Sequence, residues 1–292
     1  MYDVIVVGGS YAGQSAALQL LRARRRVLVI DADRRRNRFA ATAHGFLGQD
    51  GVAPATIARQ ARDQLRAYPT LDWIDGTATA AEGQRDGFAV TLADGIRAEG
   101  RRLLLAQGVT DQLPDLPGLS DRWGRSVFHC PYCHGYELQG GRVGVLANGP
   151  MSVHQAELLT EWGPVTYLAN GTDPGDEARA ALTGRGVAIE PAPVAALAGE
   201  AEVTMEDGRS LPFAGLFVAS RTTPNGPLAG TLGCAVEEGP VGPYLRTDGM
   251  KETSVPGVFA CGDIARPAGS VGLAVGDGTF AGASLHRSLV FG

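Results

Sequence analysis

Residues 3 to 31 read DVIVVGGSYAGQSAALQLLRARRRVLVID. The pattern is strand, glycine turn, helix, strand. Val4 to Val7 is a short apolar run of the kind buried in a parallel sheet. Ala16, Ala17, Leu20 and Leu21 recur at helical spacing. Val27 to Ile30 forms a second apolar run, closed by Asp31. Between run and helix lies Gly8-Gly9-Ser10-Tyr11-Ala12-Gly13. Gly8 permits the tight turn, and Gly13 lets the helix pack close to the strand. The start of the helix then directs unpaired N–H groups at a pyrophosphate. Asp31, 23 residues after Gly8, is spaced to accept hydrogen bonds from a ribose hydroxyl. Ser10 stands where this fingerprint has its middle glycine. The stretch therefore predicts a dinucleotide-binding α/β unit.

The same unit occurs twice. Residues 142 to 170, RVGVLANGPMSVHQAELLTEWGPVTYLAN, lie over the first copy without a gap when shifted by 139 positions. Gly8, Ser10 and Gly13 fall on Ala147, Gly149 and Ser152, while Asp31 falls on Asn170. Only the middle glycine survives, and Pro150 follows it. The strand ends without an acid, and Asn170-Gly171-Thr172-Asp173 offers no arginine clamp for a 2′-phosphate. Nicotinamide dinucleotide binding is left open for this copy.

The remaining segments fit two domains. Residues 72–108 alternate like antiparallel strands, and residues 187–221 repeat that arrangement. Ala93-Asp94-Gly95 and Glu206-Asp207-Gly208 are hairpin turns. Residues 109–119 carry two prolines and read as a linker. Near the end come a strand, Gly262-Asp263, a loop and a small-residue helix expected to pack closely on a flat surface or on the glycine turn. The 292-residue chain is 44% hydrophobic and 20% charged, as in a globular protein with a sizeable core. With a net charge of -5 and no basic stripe, no nucleic-acid partner is expected. No export signal or bilayer-length apolar run is apparent, so no membrane partner and a cytoplasmic location are expected.

Residues 130 to 137 read CPYCHGYE. Cys-x-x-Cys-His is a c-type haem attachment sequence, half of a zinc site, or a redox disulfide beside a βαβ unit. The absence of an export signal argues against haem. Among the four cysteines, Cys130, Cys133, Cys234 and Cys261, no second such pair exists to complete a zinc site. No metal is therefore expected. Pro131 suits a first helical position, which puts Cys130 at a helix N-terminus where a thiolate is favoured. His134 follows the pair and is suited to move protons near neutral pH. Cys234 and Cys261 read as small apolar residues.

The order of dinucleotide turn, Cys-x-x-Cys opening a second such unit, and terminal strand-Gly-Asp-helix resembles the low-molecular-weight thioredoxin reductases. These belong to the class II pyridine nucleotide-disulfide oxidoreductases, and the resemblance runs from residue 3 to about 290. It implies an α/β chain of two Rossmann-like, three-layer ββα nucleotide-binding domains, the second inserted in the first. An FAD domain would span 1–112 plus 241–292, and an NAD(P)-binding-like domain with the disulfide would span 117–240. By this likeness FAD meets Gly8, Ser10, Tyr11, Ala12, Gly13, Asp31, Ala32 and Arg36. It also meets Ala106 and Gly108 in an Ala-Gln-Gly strand end, Gly262 and Asp263, and the helix start Ser270-Val271-Gly272. Cys133 would touch the flavin and Cys130 the substrate, with His134 as acid-base. NADPH or NADH would be the nicotinamide cofactor, a thioredoxin-like protein or a small disulfide or dithiol the partner, and a homodimer the assembly.

His134 replaces the family's usual Asp. The wording Cys-x-x-Cys-His-Gly-Tyr-Glu, with His44-Gly45-Phe46-Leu47, looks like a subgroup that includes the dithiol oxidases of holomycin and gliotoxin biosynthesis. Three readings follow. The first is a flavin-dependent reductase of the thioredoxin reductase kind. The second is an oxidase in which a small dithiol reduces the disulfide and dioxygen takes the electrons, or a related protein fed by a donor other than NADPH. The third is a flavin-bound redox switch, whose cue would be an apolar docking stripe.

Overall fold

The computed structural model describes every residue from Met1 to Gly292. The chain forms two compact units. Met1–Arg38, Phe46–Thr110 and Thr222–Gly292 make the first, and Phe39–Gly45 with Asp111–Arg221 make the second. The second is inserted in the first, and both are α/β. The chain returns to the first unit at Thr222, earlier than the 241 read from the sequence. The reason is apolar burial: Leu228, Ala229 and Cys234 share the first unit's core with Leu245 and Ile264. Phe39–Gly45 is an arm that the sequence reading assigned to the first unit.

The first unit is built on a seven-stranded sheet. Leu71–Asp75, Val27–Asp31, Tyr2–Val7 and Arg97–Leu105 lie parallel in that order, and Val258–Ala260 also pairs parallel with Arg97–Leu105. Gly87–Leu92 and Ala78–Gln84 extend it antiparallel, with the turn at Ala93-Asp94-Gly95. Leu71–Asp75 departs from the antiparallel expectation, because its hydrogen-bonding partner is Val27–Asp31 in parallel register. Val7 is level with Ile30 and Leu105, and Leu105 with Ala260. Gly8, Asp31, Ala106 and Cys261 consequently follow their strands at one edge, the carboxyl edge where ligands of such sheets bind.

Helix Tyr11–Arg22 and terminal helix Val271–Phe291 pack backbone to backbone. A Cβ on Gly278 would stand 2.1 Å from the Ala12 carbonyl oxygen, and one on Gly282 2.5 Å from that of Ala16. This is the close packing that the small residues of the terminal helix led us to expect. Buried Arg102 anchors the far end of that helix, donating to the Ser288 carbonyl at 2.8 Å and to Asp86 at 2.8 Å. A cation there also suits the negative end of the helix dipole. No helix is long and apolar enough to cross a membrane.

The second unit has three layers. Its five-stranded sheet runs Ala188–Glu190, Val165–Leu168, Val143–Leu146, Gly215–Val218, Val127–Phe128, all parallel. Helices Met151–Leu159 and Asp176–Gly184 bring Ala156, Leu159 and Leu182 to one face, against Val143, Val145, Tyr167 and Phe217. A three-stranded antiparallel sheet, Val194–Ala198, Glu202–Met205 and Ser210–Pro212, brings Val203 and Met205 to the other face, against Leu146, Leu168 and Leu216. The alternation expected over 187–221 is thus divided between an edge strand, this antiparallel sheet and a central parallel strand. The linker at 109–119 contains the strand Val109–Gln112.

The helix contact yields a paired test. Gly278→Ala should destabilise by roughly 1–3 kcal/mol, because the added methyl meets backbone that cannot move aside. Gly276→Ala, two residues away on the same helix and facing open space, should stabilise by up to about 1 kcal/mol. Urea unfolding midpoints of the two variants check both signs.

Candidate functional site

At the carboxyl edge of the first unit, Gly8 adopts φ +104° with its backbone against Ala106. A Cβ on Gly13 would lie 1.8 Å from the Gly8 carbonyl oxygen, so the helix start is held directly on the turn. Ser10 is the helix cap residue, yet its side chain makes no capping hydrogen bond. The first helical N–H groups thus lack a side-chain cap, a donor set that matches a diphosphate oxygen. Gly9 was overlooked in the sequence. Its N–H donates to Asp31 Oδ1 at 3.1 Å, and a Cβ there would strike the Trp73 ring at 2.6 Å. Burial raises the Asp31 pKa, while the N–H groups of Gly9 and Asp33 pull it back.

The other expected cofactor residues cluster around this edge. The Tyr11 side chain is committed to structure, its hydroxyl donating to the Pro54 carbonyl at 3.2 Å and pairing with Asn37. Only its backbone remains for a cofactor. Ala32 is exposed just beyond Asp31, and Ala106 and Gly108 follow the central strand. Arg36 bonds Asp263 at 2.9 Å. Gly262 approaches the helix start closely, a Cβ on it meeting that of Ala12 at 2.8 Å. Ser270 caps the 21-residue terminal helix through the N–H of Leu273 at 3.2 Å, and Val271 and Gly272 open it. A turn with uncapped donors, an acid at the adjacent strand end and a second glycine turn close by fit the diphosphate and ribose of FAD.

Asp277 is a further residue missed in the sequence. It is buried on the terminal helix, where it accepts from Gly262 N–H at 2.8 Å and from Arg266 at 3.2 Å, and it pairs with Lys251. This fixes the Gly262-Asp263 turn from behind. The available signal was a single acid inside a small-residue helix. Neighbouring Cys261 is fully buried, and burial pushes its thiol far above the ordinary range. Cys234 is likewise raised by burial. Both behave as the apolar residues expected.

The cysteine motif sits at the carboxyl edge of the second sheet. Strand Val127–Phe128 leads into His129, and Cys130 caps helix Pro131–His134 with Pro131 in the first turn. That helix is one turn long, so its dipole favours a thiolate far less than the sequence suggested. Gln155 holds the entry to the motif, donating to the His129 carbonyl at 2.7 Å. His134 stacks on Phe128, with ring centroids 4.2 Å apart and planes 20° apart. Its pKa is lowered to about 4, chiefly by burial, against the opposing charge of Glu137 and with a smaller contribution from His44. This departs from the expectation of a histidine that titrates near neutral pH: the ring is neutral at pH 7. Tyr132, between the cysteines, and Tyr136, two residues after His134, are 71% and 83% exposed.

The arm brings His44 beside this motif. His44 Nδ1 lies 3.4 Å from Glu137 Oε1, and its Nε2 lies 3.0 Å from Thr42 Oγ1. Glu137 was quoted in the sequence without a role. In the second glycine turn the helix start, like the first, has no side-chain cap, but a donor just before it is taken by the helix itself. Ser152 Oγ accepts from Asn148 N–H at 2.9 Å, the kind of donor a phosphate would use. Asn170, at the place of Asp31, spends its side chain on Val194 N–H at 2.8 Å. Arg179 is bonded to Asp173 at 2.9 Å.

Comparison with known proteins agrees with this architecture. The profile of the pyridine nucleotide-disulphide oxidoreductase family matches residues 2–278. Thioredoxin reductase tcpT of Claviceps purpurea is 33% identical over 99% of this chain and 94% of its own. The crystal structure of an oxidoreductase from Agrobacterium tumefaciens shares 53% identity and a TM-score of 0.96, covering 99% of each chain. The crystal structure of HlmI shares 36% identity and a TM-score of 0.92, covering 99% of this chain and 92% of that one. Two nucleotide-binding sheets, one inserted in the other, and a Cys-x-x-Cys at the edge of the second thus place this chain in the pyridine nucleotide-disulphide oxidoreductase family, as a thioredoxin reductase-like enzyme.

Proposed function

We propose that the chain holds FAD at the first sheet's carboxyl edge and exchanges two electrons between it and a Cys130–Cys133 disulfide, in the direction of dithiol oxidation. The observation that carries the direction is in the second turn, where Ser152 takes the N–H of Asn148. With Asn170 also committed to Val194, the second unit lacks the usual reception for a nicotinamide dinucleotide. A small dithiol is then the electron source and dioxygen the acceptor. The likeness to HlmI and the motif Cys130-Pro131-Tyr132-Cys133-His134-Gly135-Tyr136-Glu137 support a dithiol substrate over a thioredoxin-like protein.

FAD, when bound, supplies the two-electron sink. The residues proposed to hold it are Gly8, Ser10, Ala12 and Gly13 by backbone, Asp31 by carboxylate, and Gly262 with Asp263. Cys130 Sγ takes the attack of a substrate thiol, its bond to Cys133 breaks, and the electron pair stays on Cys133. His134, neutral and shielded on one face by Phe128, receives the thiol proton as the new bond forms. The second substrate thiol then gives up its proton and displaces Cys130, leaving substrate disulfide and two enzyme thiolates. Re-forming the enzyme disulfide sends two electrons onward, and dioxygen with two protons becomes hydrogen peroxide.

Three measurements test this reading. Anaerobic mixing of the yellow protein with a small dithiol should bleach the flavin, with peroxide formed when air returns; rapid bleaching by NADPH or NADH instead would overturn the proposed direction. Cys133→Ser should abolish the bleaching by dithiols while the flavin stays bound, and a persisting response would remove Cys133 from the path. In ring-labelled histidine NMR, one signal, missing from His134→Phe, should remain that of neutral imidazole as pH falls from 8 to 5 and protonate only near 4. A midpoint near 6.5 for that signal would contradict the assigned base.

A further inference from the structure

The arm Phe39–Gly45 is far from Cys130 in sequence, yet it belongs to the same compact unit. It carries a histidine with both ring nitrogens engaged, Nδ1 toward Glu137 at 3.4 Å and Nε2 toward Thr42 Oγ1 at 3.0 Å. Glu137 in turn lies three residues beyond His134, one turn on, in the short helix Tyr136–Leu138. His44 therefore joins Thr42 of its own arm to Glu137 of the short helix, and both His44 and Glu137 act electrostatically on His134. We propose that Thr42, His44 and Glu137 form a relay that carries protons between His134 and solvent.

The relay answers a need of the proposed chemistry, on whose reading its catalytic purpose rests. Oxidation of one substrate dithiol by the enzyme disulfide leaves two cysteine thiolates and releases two protons. Each proton leaves a substrate sulfur for His134 as a sulfur–sulfur bond forms and the older one breaks. Burial against Phe128 makes that ring a poor place to keep a proton. Glu137 is exposed and draws positive charge toward itself. His44 sits between Glu137 and the Thr42 hydroxyl, and it can accept at one nitrogen while donating at the other. Glu137 from the cysteine motif and Thr42 from its own arm lie against His44, and His134 senses its charge.

His44→Gln and Glu137→Gln keep size and hydrogen-bonding capacity while removing proton transfer. Each should slow dithiol-driven flavin bleaching by about tenfold or more and change its pH profile. His44→Ala should be slowed likewise and recover with added imidazole. A rate and profile equal to wild type in both glutamine variants would overturn the relay. So would a slow His44→Ala that imidazole does not restore, with an unchanged pH profile, since His44 would then only pack the arm. A second readout separates this from failure of the oxidase reading. Iodoacetamide alkylation of the chemically reduced cysteine pair needs no electron donor, and its pH profile should shift in both glutamine variants. Failure of wild type to bleach with dithiols, together with this shift in the variants, would sink the oxidase reading and keep the relay; no shift in either variant would sink the relay.

Discussion

Direct backbone contact between the first and last helices is the constraint on which the first unit depends. Helix Val271–Phe291 comes onto the backbone of helix Tyr11–Arg22 through two glycines one turn apart, Gly278 and Gly282. Gly13 does the same against the turn that precedes its own helix. Without these three hydrogens in place of side chains, the helices would stand apart by the width of a methyl group. The Gly262 turn would then lose its approach to Ala12, and Asp277 its reach to the Gly262 N–H. Residues separated by most of the chain are in this way converted into one cofactor edge.

The second unit uses the same strand-turn-helix pattern for another purpose. Its turn is closed by Ser152, and its helix sends Gln155 to the residue before Cys130. The helix that in the first copy faces the cofactor edge here braces the cysteine motif. Phe128, the last residue of the edge strand, stacks on His134, and burial there holds the ring neutral. The identity of a histidine beside a cysteine pair says little about its protonation, because burial and neighbouring charges decide it.

Much of this was legible in the sequence because it is local or periodic. The strand-turn-helix-strand over 3–31 and its copy at 142–170 both form as read, and Pro131 opens the helix that Cys130 caps. The small-residue stripe of the terminal helix announced close packing. What escaped depended on partners far along the chain. Leu71–Asp75 has the composition of either kind of strand, and only its neighbour makes it parallel. Leu228 and Cys234 gave no sign of which core they would enter, so the second crossing was read too late. Asp277 and Glu137 were in plain view as acids, but their roles lie in contacts with Gly262 and His44, from other elements. The low pKa of His134 comes chiefly from its burial and could not be read from its neighbours in sequence.

The arm also bears on how this fold can be taken apart. Sequence numbering suggests that residues 111–221 are a self-contained insert that could be excised or exchanged between relatives. The compact unit says otherwise, since Phe39–Gly45 is part of it and Phe39 backs onto Gly124. A chimaera cut at the two obvious crossings would receive the cysteines of one parent and the His44 of the other. Exchangeable modules in this chain are therefore discontinuous, and a graft that respects the chemistry must carry both pieces.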